Sequence, residues 1–268
     1  MTVKAIAFDL DDTLLRDDRS ISDFTVSVLH QAAASGIRII PASGRAMESM
    51  RDMVDRIGCA SAYIACNGAE LWSPRHELLD RVTMSVELAK EVAHFGKQEQ
   101  VCAQTYKDKC FYYSQKGKWA DQYAVSSLLE GVYVGDLEAY LHEPTSKILM
   151  ADEPWHIARM RETAQKQFAG RLNVASSKAY FLEFNPLGAD KGSALRRCGE
   201  RLGFGVEDIV AFGDSLNDLT MLMTAGCGVC VANGRDDVKQ QVDHVCGINE
   251  EDGVAHFIED FILKENNA

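Results

Sequence analysis

The stretch that decides the fold is Ala5-Ile6-Ala7-Phe8-Asp9-Leu10-Asp11-Asp12-Thr13-Leu14-Leu15. Apolar and small residues run without alternation up to Asp9, a pattern typical of a strand that is buried on both faces of a parallel sheet. Carboxylates then follow at positions 9, 11 and 12. Because two carboxylates that share a buried site cannot both stay ionised, Asp9 and Asp11 indicate either a bound cation or one protonated partner.

Either state of these carboxylates suits phosphate chemistry. Aspartate forms aspartyl-phosphate intermediates, and a divalent cation held by oxygen ligands can bridge enzyme carboxylates and a substrate phosphate. The same residues also admit a simpler interpretation, in which Asp-Leu-Asp-Asp caps a helix after an ordinary strand. The first stretch alone leaves both interpretations open, so the rest of the chain has to decide between them.

Length and composition predict an ordinary globular chain. With 268 residues the chain is near the size at which one hydrophobic core gives way to two, so two domains are expected. Hydrophobic residues make up 46% and charged residues 25%, and no low-complexity segment is present. No run of residues approaches a membrane span, and the first residues lack the features of a secretory signal, so a cytoplasmic location is expected.

Charge and cysteine content narrow the possible partners. The net charge of -12 argues against nucleic acid and anionic membranes, which both select a basic surface. No obligate protein partner is evident. Eight cysteines in a chain of this kind are expected to be reduced thiols. Cys227 and Cys230 have the spacing of a zinc or redox pair, but no second Cys or His pair accompanies them, so we predict that they pack in a buried strand.

The first part of the chain alternates between strands and helices. Hydrophobic patterning and capping residues predict strands over 3–10 and 38–42 and helices over 22–36 and 47–57. This order predicts an α/β fold with a Rossmann-like parallel-sheet core. Ligands of such sheets bind at the carboxyl ends of the strands, and both Asp9 and Ser43 fall at such ends.

A second domain is predicted inside the first. Asn67-Gly68 between short apolar runs predicts a two-residue hairpin turn. From residue 82 the pattern becomes α+β, with helices over 86–98 and 154–168, a hairpin around Lys107-Asp108, and strands over 147–150, 172–175 and 180–184. We therefore expect an α+β cap domain over 82–185, inserted into a core formed by 1–81 and 186–268.

The parallel pattern returns after the insert and brings two more candidate site segments. Lys191 lies in the first turn of a helix predicted over 191–202, where a cation opposes the helix dipole, so the position favours a bound anion. A solvated surface lysine is the alternative. Asp214 follows an apolar strand and thus also stands at a strand end. Asn217 and Asp218 beside it could instead cap the next helix.

Together these segments resemble the haloacid dehalogenase (HAD) superfamily, and specifically its Cof-type phosphatases with a large type-two (IIB) cap. The resemblance covers almost the whole chain. Ser43 is a mild departure, since threonine is common at that position of the family. The segments similar to family motifs one to four are, in order, Asp9 to Thr13, Ser43-Gly44-Arg45, Ala189-Asp190-Lys191-Gly192 and Gly213 to Asp218. Asn67-Gly68-Ala69 and the segment 249–254 also match.

The resemblance implies a role for each matched residue. Asp9 would be the nucleophile that takes the phosphoryl group, and Asp11 the general acid and then the general base. Mg²⁺ would be held by Asp9, the main-chain carbonyl of Asp11 and Asp214, with Asp218 directed towards the metal or Lys191. The groups that would bind the phosphoryl oxygens are the Leu10 amide, Ser43, the Gly44 amide, Lys191 and Asn217.

The resemblance further implies a Mg²⁺-dependent phosphatase that acts on small phosphorylated metabolites such as sugar phosphates. The cap would close over the site and select the leaving group, with Arg45 and Glu183 as possible substrate contacts. Other candidates in the cap are Tyr113, Trp119, Arg171, Asn173 and Lys178. Two alternatives are a sugar-phosphate phosphomutase and a non-enzymatic sensing module in which Asp9 is phosphorylated without turnover. Asp11 argues against the sensing module, which does not need an acid at that position.

Overall fold

The chain divides into two compact units in a computed structural model that describes residues 3–107 and 109–264. The core unit consists of Met1–Gly44, Met50–Asp80 and Asp190–Ala268, and the insert unit consists of Arg45–Ser49 and Arg81–Ala189. The junctions thus fall after Asp80 and Ala189, whereas the predicted boundaries followed residues 81 and 185. The insert extends further because its last strand stays paired through Pro186, and Asn173 donates a hydrogen bond to the Ala189 carbonyl.

Strands and helices have the following bounds in chain order. The strands are β1 (Ala5–Asp9), β2 (Arg38–Ala42), β3 (Tyr63–Ala65), β4 (Glu70–Trp72), β5 (Leu78–Arg81), β6 (Cys102–Lys107), β7 (Cys110–Tyr113), β8 (Glu130–Tyr133), β9 (Ile148–Ala151), β10 (Leu172–Ala175), β11 (Phe181–Pro186), β12 (Ile209–Gly213), β13 (Cys227–Val231) and β14 (His244–Cys246). The helices are α1 (Asp23–Ala34), α2 (Met47–Ile57), α3 (Val86–Gln98), α4 (Lys118–Ser127), α5 (Leu137–Tyr140), α6 (Pro154–Gln167), α7 (Lys191–Leu202), α8 (Leu219–Thr224), α9 (Asp236–Lys239) and α10 (Gly253–Phe257), which π-type turns prolong over Ile258–Leu263.

The core unit is built on one sheet with the strand order β14-β13-β12-β1-β2-β3-β4-β5. The pairs from β14 to β3 are parallel, which confirms the predicted α/β fold with a parallel-sheet core. Strand β1 lies between β12 and β2 and is buried along its whole length, as its unbroken apolar run indicates. Asp9 pairs with Ala42, so Asp9 and the adjacent Ser43 reach the same edge of the sheet.

Helix α7 begins and ends where its sequence predicts. Asp190 is its N-cap and accepts a hydrogen bond from the Ser193 amide at 2.9 Å, and Gly203 ends it with a φ of 84°. Gly192 allows α7 to approach α8 closely, because a Cβ at this position would lie 2.3 Å from the Thr220 carbonyl oxygen. These contacts fix the first turn of α7, which carries Lys191.

The insert unit has its own sheet and its own hydrophobic core. The strand order is β10-β11-β9-β6-β7-β8, antiparallel except for the pair of β7 and β8. Side chains of α3 and α6 pack with those of β9 and β11 in one cluster that includes Val92, Phe95, Met150, Ile157, Phe168 and Phe184. This is the α+β arrangement that the sequence predicts. Strand β8 and helix α5 were not predicted, since β8 is mostly exposed and α5 buries only Leu137, so neither has a clear apolar pattern.

Two predicted turns need correction. Strands β3 and β4 form the predicted hairpin, but Ala65 pairs with Glu70, so four residues connect them instead of Asn67-Gly68 alone. Cys66, Asn67 and Gly68 all have positive φ values, which widens the turn. In the insert, β6 and β7 form the predicted hairpin, but Lys107 pairs with Cys110 and therefore belongs to β6, while Asp108 lies outside the described residues.

The cysteines of β13 do not form a ligand pair. Cys227 and Cys230 are three positions apart in one strand, and side chains at odd separations point to opposite faces. Cys230 is buried in the core, as predicted, and all eight cysteines of the chain are free thiols. Among the described helices, none combines the length and the apolar character that a membrane-spanning helix needs.

Candidate active site

The candidate site lies in the core unit, in the loops that follow parallel strands. Strand β1 ends at Asp9, β2 leads to Ser43 and Gly44, and β12 leads to Asp214. Because carboxyl ends of parallel strands share one edge, the sheet itself brings these distant segments together. Helix α7 adds Lys191 to the same group.

Lys191 is the centre of the site. Its side chain is fully buried, and Nζ donates to Asp9 Oδ1 at 2.6 Å and to Asp218 Oδ1 at 2.5 Å. Burial by itself would lower the pKa of Lys191, but the carboxylates of Asp218 and Asp9 outweigh it and raise this pKa above its ordinary value. The side chain is therefore a charged ammonium, and the alternative of a solvated surface lysine is wrong.

Three carboxylates lie together in the site, and two of them, those of Asp9 and Asp218, bond to this ammonium. One carboxylate oxygen from each of Asp9, Asp214 and Asp218 lies within 4.8 Å of the other two. Burial raises the pKa of Asp9 well above its ordinary value, and the charge of Asp218 raises it further, while Lys191 opposes the shift. Burial, and then the charge of Asp218, raises the pKa of Asp214 to about 7. When all three acids are ionised, the single positive charge of Lys191 therefore does not balance their negative charge.

A hard divalent cation fits this shortage of positive charge. The donor atoms are carboxylate oxygens, the ligands that Mg²⁺ takes in proteins. Asp9 and Asp214 would hold the ion, and Thr13 fixes Asp214 because its Oγ1 donates to Asp214 Oδ1 at 3.2 Å. Thr13 lies in the first motif, but the sequence assigned it no role, since a hydroxyl beside three acids gives no separate signal.

Asp218 organises the loop after β12. Its Oδ1 accepts from Lys191, and its Oδ2 accepts from the backbone amides of Asp214 and Ser215, both at 3.1 Å. It is the N-cap residue of α8 but makes no capping hydrogen bond with its side chain, so the capping interpretation is wrong for Asp218. Direct contact between Asp218 and a metal stays a prediction.

Asp11 and Asp12 continue the chain beyond β1. Asp11 is extended (φ -67°, ψ 131°) and partly exposed, and its charge adds to the raised pKa of Asp9, after burial and the charges of Asp218 and Asp214. Asp12 has a positive φ of 59°, and its carbonyl accepts from Asn233 Nδ2 at 2.7 Å. The helix-cap interpretation of this stretch is wrong, because Asp9 makes no capping hydrogen bond with its side chain.

The candidate phosphate-binding groups belong to neighbouring loops. Leu10 and Ser43 are buried. Asn217 Nδ2 donates to Asn67 Oδ1 at 3.2 Å, and a Cβ on Gly44 would lie 2.7 Å from that same oxygen. Asn217 thus lies in the same group as Gly44, with Asn67 between them, and its side chain does not cap α8. The sequence pattern placed Asn67 in a turn and in a matched segment but predicted no role for it in the site.

Further residues outside the motifs support these loops. Arg197 on α7 donates to Asp80 Oδ2 at 2.7 Å and to the Gly68 carbonyl at 2.6 Å. Asn249, near the C-terminal end, donates through Nδ2 to the Leu15 carbonyl at 3.0 Å. The bond from Asn249 thus links the matched segment 249–254 to the chain that follows the first motif. Arg197 gave no sequence signal, since an arginine within a helix is ordinary.

The candidate substrate contacts belong to the insert unit. Arg45 donates to the Ser126 carbonyl at 3.2 Å. Glu183 is almost completely buried, forms an ion pair with Lys147 at 3.0 Å and accepts from Ser177 Oγ at 2.7 Å. These contacts hold both side chains within the insert, and their roles towards a substrate stay predictions.

The other candidates of the insert have partners there too. Trp119 donates to Asp152 at 3.2 Å, Arg171 pairs with Glu91 at 2.8 Å at the surface, and Asn173 bonds to the Ala189 carbonyl. Tyr113 packs against Phe111, with ring centroids 5.3 Å apart. Lys178 is exposed. These contacts do not single out any one of them as a substrate contact.

Comparison with known proteins agrees with this geometry. The family model of the haloacid dehalogenase-like hydrolases matches residues 6–258. A 5-amino-6-(5-phospho-D-ribitylamino)uracil phosphatase from Bacillus subtilis is 28% identical, over 97% of this chain and 96% of its own. An HMP-PP phosphatase from Serratia proteamaculans is 27% identical, over 96% of this chain and 94% of its own. The solved structure of a haloacid dehalogenase-like hydrolase from B. subtilis has a TM-score of 0.87 at 26% identity, covering 97% of this chain and 100% of that one.

Proposed function

Because this chain belongs to the haloacid dehalogenase-like hydrolases, as one of their Cof-type phosphatases, we propose that it hydrolyses phosphate esters of small metabolites with Mg²⁺ as cofactor. We further propose that sugar phosphates are among its substrates. The observation that carries the proposal is the buried ammonium of Lys191 between Asp9 and Asp218, with Asp214 beside them. A cation and several acids at one strand edge suit an anionic substrate that a metal ion bridges.

Asp9 acts first, as the nucleophile. One of its carboxylate oxygens forms a bond to phosphorus while the bond between phosphorus and the leaving oxygen breaks. Asp11, two residues further along the chain, donates a proton to the leaving alcohol. The products of this step are the free alcohol and an aspartyl phosphate on Asp9.

Asp11 then acts as a general base. It accepts a proton from a water molecule, the water oxygen bonds to phosphorus, and the bond to the Asp9 oxygen breaks. Inorganic phosphate leaves and both acids return to their starting states. Lys191, Ser43, Asn217 and the amides of Leu10 and Gly44 would stabilise the charge that develops on the phosphoryl oxygens. Bound Mg²⁺ supplies positive charge that keeps Asp9 ionised and neutralises the phosphate.

The insert unit would select the leaving group. The two curated relatives are named for different substrates, 5-amino-6-(5-phospho-D-ribitylamino)uracil and HMP-PP, although each matches this chain over more than nine-tenths of its length. A shared reaction with different substrates is expected when one unit performs the chemistry and another recognises the remainder of the substrate. The separate sheet and core of the insert would allow that unit to vary independently.

A screen of phosphorylated metabolites tests the proposed function. Purified protein is incubated with sugar phosphates, nucleotides and other phosphate esters, with Mg²⁺ or with EDTA, and released phosphate is measured. We expect Mg²⁺-dependent release from a subset of the panel. Asp18→Asn, a change at an exposed acid of the same loop region, is the matched control and should behave like the wild type. No release from any substrate would contradict the proposal, and transfer of phosphate to a second position of the sugar would indicate a mutase.

A further inference from the structure

The turn at Cys66–Gly68 has an uncommon backbone. It follows β3, and Cys66, Asn67 and Gly68 have φ values of 51°, 54° and 95°. A non-glycine residue in the left-handed region costs free energy, and such residues persist only where the surrounding structure holds them. Two of them in a row, in the part of the core unit that carries the candidate site, indicate that the turn has a function there.

Asn67 contacts two of the loops that would bind phosphate. Its backbone amide donates to the Ser43 carbonyl at 3.1 Å. Its side-chain Oδ1 accepts from Asn217 Nδ2 at 3.2 Å and lies so close to Gly44 that a Cβ there would be only 2.7 Å away. The side chain of Asn67 is 6% exposed, so these contacts are made in the interior.

Gly68 contacts the third loop. A Cβ at Gly68 would lie 2.2 Å from the Asp190 carbonyl oxygen and 3.0 Å from the Lys191 nitrogen. Arg197, which lies further along α7, donates a hydrogen bond to the Gly68 carbonyl at 2.6 Å. The turn is therefore in contact with the Ser43-Gly44 loop, the Asn217 loop and the beginning of the helix that carries Lys191.

We propose that Asn67 is a positioning residue that sets the spacing between the Ser43-Gly44 loop and the Asn217 loop. The inference rests on the proposed function. The spacing between the loops matters because these loops would bind the phosphoryl oxygens. Asparagine meets both demands of the position. It tolerates the left-handed backbone, and its amide oxygen provides the acceptor for Asn217, which glycine lacks.

Asn67→Gly separates these two demands. Glycine can keep the backbone conformation of the turn and removes only the side-chain amide. The Asn217 loop then loses its contact with the turn, while the backbone bond to Ser43 remains. We expect kcat/KM to fall by roughly 10- to 100-fold, because small misplacements of binding groups have effects of this size. Inhibition by inorganic phosphate should weaken in parallel. Gln100→Gly, at an exposed left-handed position in the insert, is the matched control and should leave both quantities unchanged.

A double-mutant cycle with Asn217→Ala identifies the contact that matters. If Asn67 acts through Asn217, the double variant should lose little more activity than Asn217→Ala alone, because both changes remove the same hydrogen bond. Additive losses in kcat/KM would contradict the proposal. So would a lowered Tm of Asn67→Gly with unchanged phosphate inhibition, since a merely structural residue has that signature.

Arg197→Met is a second variant that leaves Asn67 itself unchanged. Arg197 is partly exposed, and the change removes its hydrogen bond to the Gly68 carbonyl. We expect kcat/KM to fall and inhibition by phosphate to weaken, both by several-fold. Unchanged values for Arg197→Met would overturn the proposal even if Asn67→Gly did not fold. An inactive wild type would instead contradict the proposed function, so the two failures are distinguishable.

Discussion

Lys191 Nζ lies 2.6 Å from Asp9 Oδ1, although 182 residues separate the two in the chain. The candidate nucleophile and the buried cation are thus a direct ion pair, and Asp218 accepts a second hydrogen bond from the same ammonium. Burial of a single ammonium among carboxylates is favourable only while the acids are charged and well placed. Lys191 therefore has a structural role in addition to its proposed role towards the phosphoryl group.

Lys191→Met should abolish phosphatase activity and destabilise the fold. It leaves the acids around it without their cation, and removing one partner of a buried pair typically lowers the free energy of unfolding by about 3–5 kcal/mol. Urea denaturation at pH 7 measures the loss. The difference from wild type should shrink at pH 5, where the acids can take up protons. Lys97→Met, which removes an exposed pair with Asp136, is the control and should change stability little. An unchanged stability of Lys191→Met would contradict the ion-pair arrangement.

Asp9→Asn should lower turnover by roughly 10⁴-fold or more, the scale of the loss when a covalent nucleophile is removed. The fold should remain, because asparagine has the same shape and Lys191 keeps its bond to Asp218. In EDTA the variant should be at least as stable as the wild type, since one buried acid of the cluster is gone. Phosphate release and thermal unfolding measure the two effects, with Asp18→Asn as control. Near-normal hydrolysis by a clean preparation of Asp9→Asn would exclude the covalent mechanism.

Local patterns predicted most of the fold because the elements of the core have strong sequence signals. The unbroken apolar run before Asp9 predicted a buried strand of a parallel sheet, and the helix predicted over 191–202 coincides with α7. Weak signals account for the misses. Strand β8 is mostly exposed, and the wide turn at Cys66–Gly68 depends on neighbouring loops that no local pattern contains.

The sequence predicted only those candidate site residues that have an unusual charge for their position or belong to a matched motif. Lys191 was singled out because a lysine in a first helical turn opposes the helix dipole, and Asp214 because an acid at the carboxyl end of a parallel strand lies where such sheets bind ligands. Thr13, Asn67 and Arg197 were missed because each is an ordinary residue whose role depends on a partner distant in sequence: Asp214, Asn217 and the Gly68 carbonyl.

Metal-free stability should depend on pH through Asp214. Burial raises the pKa of Asp214 from an ordinary value of 3.8 to about 7, so the folded state favours the protonated acid. This contribution to stability is present below pH 3.8 and is lost as the pH rises to about 7. Asp214→Asn, which cannot ionise, should thus be more stable than the wild type in EDTA at pH 8, by at most about 4 kcal/mol.

Denaturant titrations at pH 5 and pH 8, with EDTA or with Mg²⁺, measure this dependence. The advantage of Asp214→Asn should diminish at pH 5, where the wild-type acid is largely protonated. Mg²⁺ should stabilise the wild type more at pH 8 than at pH 5, because only the ionised carboxylates bind it. Asp243→Asn, a change at an acid outside the cluster, is the control for the metal effect. Equal stabilisation by Mg²⁺ in wild type and Asp214→Asn would contradict the proposed metal site.

Excision of the insert should separate chemistry from substrate selection. A short flexible linker would join Asp80 to Asp190, the two junctions that the structure identifies. The remaining core unit keeps its whole site cluster of Asp9, Lys191, Asp214 and Asp218, and Arg197 still binds Asp80 beside the new linker. We expect a folded core that releases phosphate from small activated esters in the presence of Mg²⁺, while the differences in kcat/KM across a metabolite panel become small. If the excised protein folds and keeps the substrate ranking of the full chain, selection resides in the core unit, and the role proposed for the insert is wrong.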